Sequence, residues 1–392
     1  MIKLSSSFAT KISIWLILAR SPFFVFFMAL FFIVNNKSFF VFIKNIIPFF
    51  LLVVLSVLYS LVQGNEFSYV FGQAKDILLA VVIFLFLVAY SLSKSGGDRF
   101  IFDVIKNGFV FIAVAKIIIL LYSFYYGVSP VDVIDNISDF WGVEMMTLGV
   151  EGSSMTRIQI PIDAAGPLVI FFTLHRILNS NFPLKDVIQF FLLIFSCLLT
   201  MSRFFWAESA FFIILCFLIN MKSKKHFFLL SVLLVISFVL FFLTPLGETI
   251  NTILGTRFDA LINSSSDSTR VLQIAEINSA IRKSPIFGHG IGYYIPHFIR
   301  SDEIKYLYEN QTLSMIMSLG GVGAFVLLVM IVVNVFNNSA MRCSTHKNII
   351  LTVLFFIFWL LSGSFNPLLF GASGGIVLFF STRNSYILND FK

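Results

Sequence analysis

Apolar runs of about 20 residues recur along nearly the whole chain, and each is long enough to cross a bilayer as a helix. That recurrence limits the fold more than any motif does. Inside hydrocarbon the backbone must satisfy its own hydrogen bonds, so the runs are read as α-helices packed into a bundle. With 58% hydrophobic and only 12% charged residues, a soluble globular chain is excluded. The expected fold is an all-α polytopic membrane protein, with residues 1–392 forming a single integral membrane domain. Membrane lipid is its surrounding partner, and nothing points to nucleic acid. The 51 phenylalanines read as lipid-facing bulk rather than as a binding feature. Cys197, Cys216 and Cys343 fall in two apolar runs and a short basic loop, so no disulfide framework is expected.

Hydropathy places spans near residues 12–34, 45–62, 75–93, 104–126, 161–178, 186–202, 204–220, 227–244, 312–334, 349–363 and 367–380. The segment LILARSPFF bears on the count. A bend at Ser21-Pro22 would make two short helices of the first span and bring the total from about eleven to about twelve, with both termini on one side. The short basic loops SKSGGDR (93–99), HRILNSNFPLK (175–185), MKSKKH (221–226), MRCSTHK (341–347) and the tail STRN agree on one face. By the positive-inside rule that face and the C-terminus are cytoplasmic. Residues 127–160 and 245–311 are then expected outside.

The longer outer loop differs in kind from the short ones. Arg257, Arg270, Arg282, Lys283, Arg300 and Lys305 stand there against Glu248, Asp259, Asp267, Glu276, Asp302, Glu303 and Glu309. Such a charge-balanced segment can fold in water beside the membrane. Asp267 or Ser268 is placed to cap a helix whose Val271, Ile274, Ile277 and Ile281 face the bilayer or the bundle. Pro285 and Gly288 end it. The loop is read as lid-like.

The chain has no Asp-x-Asp, no phosphate-binding Gly-x-x-x-x-Gly-Lys, and no Cys or His pair at metal-ligand spacing. No metal or cofactor is expected. What remains is a set of arginines beside span ends: Arg157 before IQIPIDAAGP, Arg203 in LLTMSRFFWAE, and Arg270 in the loop helix. A guanidinium stays charged and grips phosphate oxygens with two donors, which suits an anionic headgroup. The alternative is that each snorkels or pairs locally, Arg157 with Asp163 and Arg203 with Glu208. Asp163 and Glu208 are alternatively the markers of a proton path through a transporter. Lys116, inside FIAVAKIIILLYSFYY, is expected to snorkel. Glu309, where the long loop re-enters the membrane, is a candidate base, and Glu309, Asn310 or Thr312 is alternatively a helix cap. Gly320, Gly321 and Gly323 read as a small-residue face for close helix packing.

In this order the features resemble the O-antigen ligase and polymerase superfamily of bacterial envelope glycosyltransferases, over roughly residues 150–325. The resemblance rests on Arg157 before a mid-chain span, the T-x-S-R turn (Thr200, Ser202, Arg203), Arg270 opening a loop helix, and the P-x-x-G-x-G turn (Pro285, Gly288, Gly290). Ligases of the superfamily then carry a His-Asn pair, nine residues and Gly-x-x-Gly. Here Glu309-Asn310, Gly320 and Gly323 keep the spacing with glutamate in the first place, which favours a polymerase. The resemblance implies a C-type glycosyltransferase of the bacterial inner membrane. Its donor and acceptor would be undecaprenyl-diphosphate-linked oligosaccharides, polymerised without metal on the periplasmic side, with a chain-length regulator and a flippase as further partners. Arg203, Arg270 and Glu309 are then the catalytic candidates, with Arg270 and Arg203 on the diphosphate and Glu309 as general base or acceptor positioner. Arg157, Arg257, Asn310, His289 and Tyr293 are the substrate-binding candidates.

Two other readings stay open at this stage. A ligase would move finished glycan onto the lipid A core. A lipid-linked oligosaccharide flippase would share the span count and the buried charges, but would be expected to show short, even loops and an internal repeat.

Overall fold

The computed structural model describes residues 6–141, 146–149, 156–180, 183–220, 255, 260–301, 304–339 and 346–390. The expected span at 227–244, Arg257, Cys343 and the basic stretch MKSKKH lie outside the described residues. The helices are α1 Ser6–Leu18, α2 Phe24–Val34, α3 Asn36–Val62, α4 Phe67–Ser93, α5 Gly97–Tyr126, α6 Pro130–Trp141, α7 Gly166–Asn179, α8 Leu184–Leu199 and α9 Arg203–Asn220. They continue with α10 Ala260–Lys283, α11 Gln311–Asn338, α12 His346–Phe365 and α13 Gly371–Asn389. A hairpin of β1 (Met146–Gly149) and β2 (Thr156–Gln159), followed by a 3-10 turn at Pro161–Ala165, is inserted before α7.

Among the described residues seven helices are long and apolar enough to cross a membrane, and the chain is an all-α multi-pass membrane protein. The helices extend beyond the hydropathy maxima. α3 and α4 begin at Asn36 and Phe67, because Lys37, Lys44, Gln73, Lys75 and Asp76 lower local hydropathy without breaking helical geometry. The first expected span is two helices: α1 ends at Leu18, Arg20 takes a left-handed φ of 55°, and α2 starts after Pro22. α10 starts at Ala260, so Asp267 and Ser268 lie inside the helix rather than at its cap.

The chain divides into two compact units, residues 1–108 with 270–390 and residues 109–269 with 391–392. In the first, α4 is the central helix and packs along α3 and α13. Residues 83–91 of α4 are buried without interruption, as are Ser373–Ser385 of α13, so this helix pair forms the core. Gly375 makes the close approach possible, since a Cβ there would sit 2.6 Å from the Ala80 carbonyl.

One end of this unit is tied by charge. Arg383 donates through Nε and Nη2 to the two oxygens of Asp98, both at 2.8 Å, and through Nη1 to the Asn338 carbonyl. Ser91 donates to the same carboxylate at 2.6 Å. The sequence STRN is therefore buried helix, not a tail loop, and its arginine is neutralised by an acid from SKSGGDR. A pair 285 positions apart leaves no local trace in the sequence. At the opposite end of α4 the connection to α3 meets the segment after α10, described below.

In the second unit α7 packs against α9 and α8. Phe212 meets Phe171 edge to face, and Asn220 hydrogen-bonds His175. Cys197 and Cys216 are buried free thiols.

Candidate functional site

In the first unit, the backbone between α10 and α11 is a glycine turn seated in a broken helix. Gly288, Gly290 and Gly292 have φ of 69°, 88° and 77°, a region that side chains with a Cβ rarely adopt. α11 is itself interrupted at Gly320 (φ 69°, ψ 175°). The groups released there are taken up by the turn: His289 N donates to Met317 O, Gly290 N to Ser318 O, and Gly321 N to Pro285 O. A Cβ on Gly288 or Gly320 would overlap the other strand's backbone. Gly320 thus serves a backbone docking joint and not the helix-packing face expected from its spacing. The turn is further pinned by α3 and α4: Tyr59 and Asn65 donate to the carbonyls of Gly288 and His289, and Gln73 Oε1 accepts from Gly292 N.

On this joint sits a charge cluster. Arg270 Nε donates to Glu309 Oε2, and Arg300 Nη2 donates to Glu309 Oε1. Both carboxylate oxygens are held by guanidinium groups. Side-chain exposure is 38% for Arg270, 33% for Arg300 and 22% for Glu309, so the cluster borders solvent. Asn310 caps α11 by accepting from Leu313 N at 3.0 Å. The buried face of α10, Ile277 and Ala280, packs with Ile295, Tyr308 and Met317, while Val271 and Ile274 remain exposed. His289 donates through Nε2 to the Ala280 carbonyl, if that nitrogen carries the proton, and stacks on Tyr293 at 4.3 Å. Burial pushes the Tyr293 phenol up. Arg300 is counted among the loop charges but is not a site candidate from sequence, because neither periodicity nor a motif marks HFIRSDE.

In the second unit the T-x-S-R turn joins α8 to α9. A helix C-terminus leaves carbonyls without partners, and side-chain donors fill them. Cys197 O accepts from Thr200 Oγ1 and Trp206 Nε1 at 2.7 and 3.1 Å, and Thr200 O accepts from Arg157 Nε at 3.0 Å. Met201 takes a left-handed φ of 46°, which turns the chain sharply. Arg203 is then the first residue of α9, half-buried. Arg157 stands on β2 opposite Leu148 and also donates to Gln159.

The pairings expected as local alternatives are not those found. Asp163 holds Lys116, whose Nζ is 2.9 Å from both carboxylate oxygens, and accepts from Ile160 N. Lys116 therefore does not snorkel. Its depth in α5 makes a buried carboxylate a better partner than distant water. Glu208 forms no ion pair with Arg203 among the described residues, and its Oε2 is buried without a hydrogen bond. No cluster of three or more metal-ligating side chains occurs among the described residues.

The structure thus brings Arg270, Arg300, Glu309 and Asn310 together in one unit, and Arg157 beside the T-x-S-R turn in the other. Residues 188–328 match the family model described as O-antigen ligase. That region is similar to the O-antigen ligase/polymerase superfamily. It contains the T-x-S-R turn, Arg270, the glycine turn, Glu309-Asn310 and Gly320. The activity class of this superfamily is glycan transfer of the ligase or polymerase type, on lipid-linked glycans in a membrane. No curated protein and no solved structure matches the chain.

Proposed function

We propose that the protein is an O-antigen polymerase, transferring a growing glycan from undecaprenyl diphosphate onto the next lipid-linked repeat unit at the periplasmic face of the inner membrane. The observation that supports this reading most is the Arg270–Glu309–Arg300 cluster inside the superfamily region. The donor is already activated by its diphosphate. The protein has only to neutralise charge growing on that leaving group and to receive the acceptor's proton. From the sequence, Arg203 and Arg270 are assigned to the diphosphate, and Arg157 to the diphosphate or the acceptor lipid. Glu309 keeps Arg270 and Arg300 in place and positions the acceptor. Asn310, His289, Tyr293 and Arg257 are assigned to substrate binding from the sequence.

Glutamate in the place where ligases carry histidine favours polymerase over ligase. The test uses purified protein with a defined lipid-linked repeat unit and no lipid A core, scored for a ladder of products. A ladder is expected, and Arg203→Ala should reduce its rate by about 10²- to 10³-fold. Absence of any ladder until lipid A core is supplied would establish the ligase instead. Near-normal polymerisation by well-inserted Arg203→Ala would remove Arg203 from the site.

A further inference from the structure

Glu309 has both oxygens engaged by arginines, so the proton released from an attacking hydroxyl needs another destination. Another carboxylate belongs to the same unit. Asp76 lies in the third turn of α4 and accepts a hydrogen bond from Tyr306 Oη at 3.2 Å. Beside them is a cavity of about 10 Å³ bounded by Gln73, Asp76, Tyr306, Tyr308, Gln311 and Ser314, large enough for about one water and polar enough to keep it. Tyr306, Leu307, Tyr308 and Gln311, which line it, flank Glu309 and Asn310 in the chain. An acid in a membrane helix is expensive to keep without a purpose, and Asp76 is the only acid lining this cavity among the described residues.

The tyrosine is held in place by what α4 lacks. At Gly72 a Cβ would come within 2.7 Å of the Tyr306 hydroxyl, so glycine there leaves room for the phenol to reach Asp76. The charged and titratable groups facing the carboxyl are Lys75 on its own helix, Arg20 from the turn between α1 and α2, and Tyr306.

We propose that Asp76 is the proton acceptor of the transfer, reached through Tyr306 and one water in this cavity. The proposal rests on the glycosyl-transfer reading above, with Glu309 in its positioning role. The acceptor oxygen forms the new bond to the anomeric carbon while the bond from that carbon to the diphosphate oxygen breaks, the electron pair leaving with undecaprenyl diphosphate. The hydroxyl proton passes to the water, the water's proton to Tyr306 Oη, and the Tyr306 proton to Asp76. After release of the product the carboxylate returns the proton to bulk water.

The experiment compares Asp76→Asn, Asp76→Glu, Tyr306→Phe and Gly72→Ala in nanodiscs, reading transfer rate against pH and, separately, binding of undecaprenyl diphosphate. Asp76→Asn should slow transfer by about 10²-fold or more, bind undecaprenyl diphosphate normally and lose the acid limb of the pH profile. Asp76→Glu should retain much of the rate with that limb displaced, which a merely structural role would not produce. Tyr306→Phe and Gly72→Ala should each cost about 10-fold, since both interrupt the relay but leave the acid. Transfer by Asp76→Asn at more than half the wild-type rate, or an acid limb unmoved in Asp76→Glu, overturns the proposal. Arg270→Ala in the same binding assay keeps the two readings apart. Its loss of undecaprenyl diphosphate is expected, and normal binding there would reject the diphosphate site whatever Asp76 does.

Discussion

Lys116–Asp163 and Arg270–Glu309–Arg300 use the same chemistry in opposite surroundings. The first pair is sealed, with 4% and 5% of its side chains exposed, and Asp163 takes a further backbone donor. The second borders solvent and shares one carboxylate between two guanidiniums. Breaking a buried pair leaves an uncompensated charge in a poor solvent, which costs several kcal/mol. Opening an exposed pair costs about 0–1 kcal/mol. A phosphate can therefore compete for Arg270 and Arg300 but not for Lys116. Burial, rather than residue type, separates the charge that holds the fold from the charge that is free to exchange partners.

The largest effect expected from this contrast is on stability. Lys116→Met leaves Asp163 buried without its cation and should destabilise the protein by about 3–5 kcal/mol, read as lowered thermal stability in detergent. The double change Lys116→Met with Asp163→Leu should recover most of that loss, because no charge is then stranded. Arg270→Ala should leave the melting curve nearly unmoved. If Lys116→Met melts like wild type, the sealed pair is not a structural tie and the contrast fails.

A smaller effect tests the joint beneath the exposed cluster. Gly64 and Gly320 both have positive φ, 80° and 69°, but only Gly320 has backbone pressed against it, while nothing lies within 4 Å of a Cβ at Gly64. Gly64→Ala should cost about 1 kcal/mol from backbone conformation alone. Gly320→Ala adds overlap with the Ile286 carbonyl and should release the glycine turn, read as faster limited proteolysis between α10 and α11. Equal protease resistance in the two variants would mean that the turn is held by something other than this joint.

The same contrast explains what was readable from the sequence. Spans announce themselves through hydropathy, the P-x-x-G-x-G turn through glycines that tolerate sharp backbone, and the T-x-S-R turn through polar residues between two apolar runs, so the helical bundle and the positions of Arg203, Gly288 and Gly290 are legible. Partnerships are not. Nothing local tells that Lys116 meets Asp163 instead of water, that Arg383 crosses to Asp98, or that Arg300 shares Glu309 with Arg270, since each depends on distant segments folding together. Gly320 was misjudged for a related reason. Small residues spaced along a helix look the same whether they admit another helix or a loop backbone. Asp76 was hidden by a boundary, because hydropathy started its span at residue 75 and made the acid look like a helix end.

The smallest effect concerns the packing that supports the cluster from below. Tyr308 is 1% exposed; its hydroxyl accepts from Ile295 N at 2.7 Å and donates to Phe298 O at 3.4 Å. Burial pushes its phenol up to about 12, above the ordinary value near 10. Between about pH 10 and 12 the unfolded chain therefore gives up this proton while the folded one keeps it, so stability falls as pH rises through that window. Tyr308→Phe should lose about 1 kcal/mol near neutrality, with the Ile295 amide left unpaired. Its thermal stability should also decline less steeply above pH 10 than that of the wild type. Identical alkaline slopes in the two proteins would show that the Tyr308 phenol is not shielded in the folded state, and that the segment from Ile295 to Glu309 is looser than its hydrogen bonds indicate.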